Sequence, residues 1–233
     1  MEKAKFISVV GGHLQCQVIQ CTGLAPRQIR VTCMGVETTE LEALGRDRSY
    51  SPGTLHLVSV ARLHPGKGIL HALAAVHRGI QKGLDLSYTV AGEGPHRGAI
   101  EARIKELDLS SRVTLTGTLS ETEVYQLLSK SDALLLPSTG LGEAWPVAVM
   151  EAMGAGLPVI ASSIGATPEM IASGEDGLLV PQGDEDALLN SIIILANDID
   201  ARQRLGEAAR KTARLRFDVS ITAAALRDAI YNR

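Results

Sequence analysis

Two pairs of charged residues in this chain have the types and spacing to act on one ligand. Glu143 and Glu151 stand eight positions apart in PSTGLGEAWPVAVMEAMGAG, the stretch from Pro137 to Gly156. Arg62 and Lys67 stand five apart in VSVARLHPGKGI, from Val58 to Ile69. A carboxylate accepts two hydrogen bonds from neighbouring hydroxyls of a ribose or hexose. Arginine grips phosphate oxygens in a fork, and lysine meets them as a point charge. The four together suit a ligand that carries both phosphate and hydroxyls, as a nucleotide sugar does. The cations would balance a diphosphate as its bond to the sugar breaks. Taken singly, each has a plainer reading. Glu143 is then a solvated loop residue, Glu151 sits on a polar helix face, and the basic pair is a surface turn.

The elements that must position these residues are legible in the pattern. From Leu55 onward, short apolar runs alternate with helical stretches, the signature of a parallel α/β sheet. The strands are expected at Leu55 to Val60, Leu86 to Ala91, Val113 to Thr116, Ala133 to Leu136, Pro158 to Ile160 and Leu178 to Val180. The first two helices are expected at about 67–81 and 95–107. Ser120 and Glu123 form a capping box that opens the next. A further helix is expected to start at Pro146 as its first residue, where the missing N–H costs nothing, and to stop at Gly154 and Gly156. Thr167, Pro168 and Asp184 read as later helix starts. Arg62, Lys67 and Glu143 then follow the carboxyl ends of strands, where open parallel sheets bind their ligands. The helix N-terminus at Pro146 adds unpaired N–H groups and a partial positive charge there.

The flanks carry less. Before residue 50, Phe6 to Val10 and Ile29 to Thr32 read as strands and Gln15 to Cys21 as a helix, followed by a polar linker from Glu37 to Gly53. Residues 198–233 are helical and basic, with Arg202, Arg204, Arg210, Lys211, Arg214, Arg216 and Arg227. Their basic face reads first as a solvated surface; a second reading is an anionic membrane surface or a partner.

Composition sets the limits. The chain has 233 residues, 45% hydrophobic and 21% charged, with a net charge of -3, an ordinary globular make-up that gives no reason for a nucleic-acid partner. No apolar run reaches the ~18 residues of a membrane span. The N-terminus lacks a secretory pattern, and the three cysteines (Cys16, Cys21, Cys33) form no CxxC pair, so a reducing cytoplasm is expected. No Asp-x-Asp follows a strand and the histidines His64, His71, His77 and His96 are scattered, so neither metal nor cofactor is expected. VAGEGPHRG, Val90 to Gly98, fails as a dinucleotide fingerprint because its third glycine position holds Arg97. Its glycines instead allow a tight turn from strand to helix.

The stretch around the two glutamates resembles the donor-site motif of the retaining glycosyltransferases of family 4, the glycosyl transferases group 1. In that family a loop glutamate is followed eight positions later by a helical one, and EAMGAGLPVIAS (Glu151 to Ser162) matches what usually comes next. The basic pair matches too, with Ala61 where glycine is usual. Where the family has glycine, aromatic, glycine after the first glutamate, this chain has Ala144, Trp145 and Pro146. The resemblance covers about Leu55 to Asp218 and implies a doubly wound, Rossmann-like parallel sheet of six strands. It would be the C-terminal lobe of a GT-B fold, with an N-terminal remnant and C-terminal helices. It divides the chain into residues 1–50, a remnant of the acceptor lobe plus linker; 51–217, the nucleotide-sugar-binding domain; and 218–233, a last helix. Most of the acceptor lobe would be absent, so either the chain is a fragment or a partner chain supplies the rest.

The roles that the resemblance implies are specific. Arg62 and Lys67 stabilise the departing diphosphate, Glu143 and the helix N-terminus hold the transferred hexose, and Glu151 accepts ribose hydroxyls. Donor contacts fall at Ala144, Trp145, Pro146 and Val147; Gly92 borders the nucleotide, and Thr118 and Leu119 lie against the base. Gly165 and Ala166 match a glycine pair near the sugar. The expected partners are a nucleotide sugar and an acceptor of unknown kind (glycan, lipid or small molecule). Two other readings stay open: a nucleotide-sugar epimerase of the same architecture, and a module that binds without transferring.

Overall fold

The computed structural model describes residues 6–45, 50–51, 53–140 and 142–231. Six strands form one all-parallel sheet: β3 (Thr54–Val60), β4 (Asp85–Ala91), β5 (Val113–Gly117), β6 (Ala133–Leu136), β7 (Val159–Ser162) and β8 (Leu178–Val180). Their order is β5-β4-β3-β6-β7-β8. The chain builds outward from β3 on one side, then returns to lay β6 on the other. The strand order therefore reverses between β3 and β6, and the loops leaving those two strands open a crevice there.

The central strands β6 and β7 are buried on both faces because helices cover both. Leu55, Leu57, Ala133 and Leu135 point to one core, with α3 (Ile69–Gln81), α4 (Arg97–Glu106) and α8 (Glu185–Asn197). Val58, Leu134 and Leu136 point to the other, with α5 (Glu121–Ser129), α6 (Val147–Gly154) and α9 (Ile199–Arg216). The alternation along each strand is the two-residue period of the pleat.

The expected elements are present with shifted ends. The capping box at Ser120 and Glu123 forms, and Asp184 caps α8 through Ala187 N–H. Pro95 does not open a helix: it lies in a turn, with His96 N–H donating to Leu63 O and Arg97 N–H to Gly94 O, and α4 starts at Arg97. Likewise Pro146 caps α6 from outside, with ψ 115°, and Val147 is the first helical residue. α7 (Thr167–Met170) is a single turn.

Two expectations need correction. The stretch from Glu37 to Gly53 is not simply a polar linker, because Thr38–Gly45 forms α2; residues 46–49 and 52 lie outside the described residues. Leu41 is fully buried against α6, and a side chain on Gly45 would meet Ala155 O at 2.1 Å. One leucine anchor in eight residues is too little for a visible helical period. Arg202 is not on a solvated face. It is fully buried, its guanidinium donating to Thr54 O and Ser51 O at 3.1 Å each and lying 3.7 Å from Asp132. The main-chain carbonyls before and at the start of β3 receive it, a tertiary arrangement that the charge run of α9 does not reveal.

Before the large sheet, β1 (Ile7–Val9) and β2 (Ile29–Val31) pair in parallel as a separate two-stranded sheet around α1 (Gly12–Thr22). Val36 joins this segment to the chain's end, accepting from Val219 N–H and donating to Phe217 O. α10 (Val219–Tyr231) follows; only Thr222 of it is buried, and Ile221, Leu226 and Ile230 are exposed. No helix among the described residues is long and apolar enough to cross a membrane.

Candidate active site

The turn after β3 and the loop after β6 meet at the point where the strand order reverses. Pro65–Lys67 is a turn of 3-10 helix closed by Gly68 at φ +67°. Thr139 N–H donates to Gly66 O at 2.8 Å, tying the turn to the loop. This approach brings Lys67 Nζ to 2.5 Å from Glu143 Oε1, and Ser138 Oγ donates to the same oxygen at 2.6 Å. Glu143 is only 5% exposed, so Lys67 holds its charge where burial would otherwise be costly. Its Oε2 accepts no hydrogen bond from the described residues. On the far side, Ala166 N–H donates to Glu143 O at 2.9 Å, and a side chain on Gly165 would strike that oxygen at 2.0 Å.

A cavity of about 600 Å³ lies along this rim. Arg62, Lys67, Glu143 and Glu151 all line it, so the four charged residues of the two motifs converge on one space. Arg62 is exposed and makes no ion pair within the described residues, which leaves its guanidinium open to an anion. At the start of α6, Pro146 and Val147 line the wall, and the N–H groups of Val147 and Ala148 donate to no acceptor among the described residues. Gly92 forms the opposite wall with φ +139°, where a side chain would meet Ala61 O at 1.9 Å. The glycine turn thus exists to lie against the Arg62 turn, and Leu63 N–H donates to Glu93 O at 2.9 Å across it. Thr118 and Leu119 line the end of the cavity nearest β5.

Two nominated residues lie elsewhere. Trp145 belongs to the core. It is 5% exposed and packs edge-on to Phe217 with ring centres 6.0 Å apart, so its indole does not face the cavity. With Pro146 turning the chain into α6, the side chain at 145 points inward, and a side chain on Gly11 would touch it at 3.1 Å. Ala144 lines a second cavity, of about 450 Å³, whose wall Glu143 and Gly165 share.

Glu93, the acid of the glycine turn that the family resemblance puts beside the nucleotide, and Glu121, which sequence reasoning missed, also line the first cavity. Glu93 is paired with Arg97. Glu121 sits in the first turn of α5, and its side chain accepts from Tyr125 Oη at 3.1 Å. An acidic residue in a first helical turn looks like ordinary complement to the helix dipole, so its sequence carried no other signal. Its charge matters for Glu151. Burial pushes the Glu151 carboxyl up from its ordinary 4.5 to about 7, and the Glu121 charge adds to the rise. A carboxyl so raised binds its proton more tightly in the folded chain. The stability it lends is complete below about pH 4.5 and is lost as pH rises through about 7. Glu151→Gln should therefore flatten the fall in thermal stability between pH 5 and 8 and melt above the wild type at pH 8. Melting curves in the two buffers check this; parallel curves for both proteins would contradict it.

Among the described residues, no group of three or more His, Cys, Asp or Glu side chains is arranged to hold a metal ion.

Comparison with known proteins bears on this geometry. The family model described as glycosyl transferases group 1 matches residues 49–212. The amylovoran biosynthesis glycosyltransferase AmsK of Erwinia amylovora is 36% identical over 178 residues, which are 75% of this chain and 43% of that protein. The putative colanic acid biosynthesis glycosyltransferase WcaL of Salmonella typhimurium is 35% identical over 176 residues, 73% of this chain and 42% of WcaL. The chain thus spans less than half the length of these curated relatives. Among solved structures, that of Anabaena Alr3699/HepE in complex with UDP and glucose superposes with a TM-score of 0.85 at 21% identity, covering 99% of this chain and 64% of HepE. That likeness establishes a common fold.

Proposed function

The chain belongs to the glycosyl transferases group 1, and from that premise we propose that it binds the nucleotide-sugar donor in a transfer of a hexosyl group to an acceptor. The observation that carries this reading is the convergence of Arg62, Lys67, Glu143 and Glu151 on one cavity at the reversal of strand order. The nucleoside would lie toward β5, between Gly92, Thr118 and Leu119. Glu151, in its deprotonated state, accepts the ribose hydroxyls. The diphosphate lies against Arg62, Lys67 and the open N–H groups of Val147 and Ala148. Fixed cations and a helix N-terminus there stabilise the charge that grows on the leaving oxygen as the glycosidic bond breaks. The hexose then reaches Glu143. Lys67 already neutralises that carboxylate, so it serves as a hydrogen-bond acceptor for sugar hydroxyls and no covalent intermediate on it is needed. The acceptor hydroxyl attacks from the face that the diphosphate leaves and gives its proton to the departing diphosphate oxygen, which retains configuration at the anomeric carbon.

On this reading residues 51–217 are the donor-binding unit. The share of its relatives that the chain spans supports a second reading, a nucleotide-sugar-binding unit whose transfer requires an acceptor lobe from elsewhere.

Calorimetric titration of UDP, GDP and ADP tests the donor site. At least one should bind, and Arg62→Ala and Glu151→Ala should each weaken it by about tenfold or more, as expected for the loss of a charged hydrogen bond. Equally weak binding of all three by the wild type and both variants would overturn the assignment. Release of free sugar from the bound donor, with and without added acceptor lobe, separates an enzyme from a binding unit.

A further inference from the structure

The second cavity borders the first at Glu143, and α1 forms its other wall. Its polar lining has an unusual balance. His13 Nε2 lies 3.0 Å from Gln17 Nε2, so the amide donates and the imidazole Nδ1 and the Gln17 carbonyl are left over. Gln182 Oε1 accepts from Gly140 N–H at 3.1 Å, which leaves its NH2 group. Glu143 contributes its unengaged Oε2. None of these four groups is sealed from solvent without a partner. Free donors and free acceptors thus share one space, and vicinal hydroxyls can use both, while Leu14 and Ile164 offer apolar contact to ring C–H groups.

Charge narrows the ligand further. Among the described residues no lysine or arginine lines this cavity, and the charge on Glu143 is already met by Lys67 from the other side. An anionic group would face that carboxylate with no cation to offset it, and a cationic one would find its charge already balanced. The wall is also held in place. Gly12 N–H donates to Glu169 Oε2 at 2.8 Å and His13 N–H to Glu169 Oε1 at 2.5 Å, so a carboxylate fixes the first turn of α1 beside the loop that carries Glu143.

We propose, resting on the donor reading above, that α1 is a sugar-recognition element: His13 and Gln17, with Gln182 and Glu143 opposite, select an uncharged sugar ring in the second cavity. Two sources share that chemistry, the terminal sugar of the acceptor and the hexose of the donor.

Saturation-transfer NMR on the full chain decides, with methyl α-glycosides of glucose, galactose and mannose as neutral probes and methyl glucuronoside and glucosamine as charged ones. Each is measured alone, with UDP and with UDP-glucose. At least one neutral glycoside should bind, the charged probes should bind at least about fivefold more weakly, and His13→Ala and Gln17→Ala should each weaken the neutral probe by about fivefold, one lost hydrogen bond. Where UDP-glucose itself is seen to bind, a glycoside displaced by it but not by UDP marks the donor's hexose, and one that binds beside it marks the acceptor. The inference is overturned if no neutral glycoside binds, if the charged probes bind as well, or if neither variant nor Gln182→Ala changes binding. The donor reading is scored separately by the titration of UDP, GDP and ADP, in which His13 takes no part: a nucleotide bound with no glycoside response sinks this inference alone.

Discussion

Replacing Lys67 with alanine is expected to lower turnover of the nucleotide sugar, by transfer or by hydrolysis, about 10²–10³-fold, the range for removing one fixed group from a developing oxyanion. Two losses coincide in that variant. On the proposed function the diphosphate loses a point charge, and Glu143, with its side chain 4% exposed, loses the ammonium 2.5 Å from its oxygen. They separate because they act on different quantities. Lys67→Met should slow turnover and also lower the melting temperature, since it strands a buried carboxylate. Adding Glu143→Gln removes the stranded charge and should restore most of the stability. Turnover should stay low and fall below that of Glu143→Gln alone, because the diphosphate still lacks its cation. The non-additive stability and the persistent rate loss form a double-mutant cycle on one pair. Turnover of Lys67→Ala within about threefold of wild type, or recovery of turnover in the double variant, would reduce Lys67 to a structural partner of Glu143.

The way these two residues meet explains what was legible in the sequence. The sheet was readable strand by strand because strands buried on both faces are uninterrupted apolar runs, as Ala133–Leu136 is. The four charged residues were readable because each follows a strand or sits in the helix after one, and parallel topology puts those ends on one rim. What could not be read was direction. Trp145 and Val147 are two apart, yet one lies in the core and the other is 42% exposed on the cavity wall. Only the extended backbone at Pro146 fixes which way each faces. The same holds for α1, whose residues showed no chemistry in one dimension. His13 gained its setting from Glu169, 156 positions away. Arg202 and Glu121 were likewise misread or missed because partners distant in the chain decide what they do. Glycines were the exception. The turn at Gly92 and Gly94 was expected from the need for a tight passage, and close backbone approach accounts for it: a side chain on either would come within 2.3 Å of a carbonyl oxygen of the neighbouring turn.

Gly68 is where that close approach carries the largest expected effect on stability. Its φ of +67° lies in the left-handed region, and an added Cβ would stand 1.8 Å from Pro137 O and 2.7 Å from Pro137 C. Both are main-chain atoms, and no rotation of a side chain can relieve them. The left-handed conformation costs a residue with a Cβ about 1–2 kcal/mol. Forcing a methyl group into a packed contact costs about 1–3 kcal/mol more. Gly68→Ala should therefore lose about 2–5 kcal/mol, or about 5–20 °C in melting temperature for a chain of this size. Gly183→Ala is the matched control: its φ is +71°, but nothing lies within 4 Å of its added Cβ. It incurs the conformational cost alone, so the difference between the two variants isolates the contact with Pro137. The site should suffer beyond the stability loss. Any shift that makes room for the methyl group must part the Lys67 turn from the Glu143 loop, so the part of Gly68→Ala that remains folded should bind nucleoside diphosphate at least tenfold more weakly, about 1.4 kcal/mol. Equal melting temperatures for the two variants, or undiminished nucleotide binding by folded Gly68→Ala, would show that the two loops are not locked together at this point, and the Lys67–Glu143 pair would need another explanation.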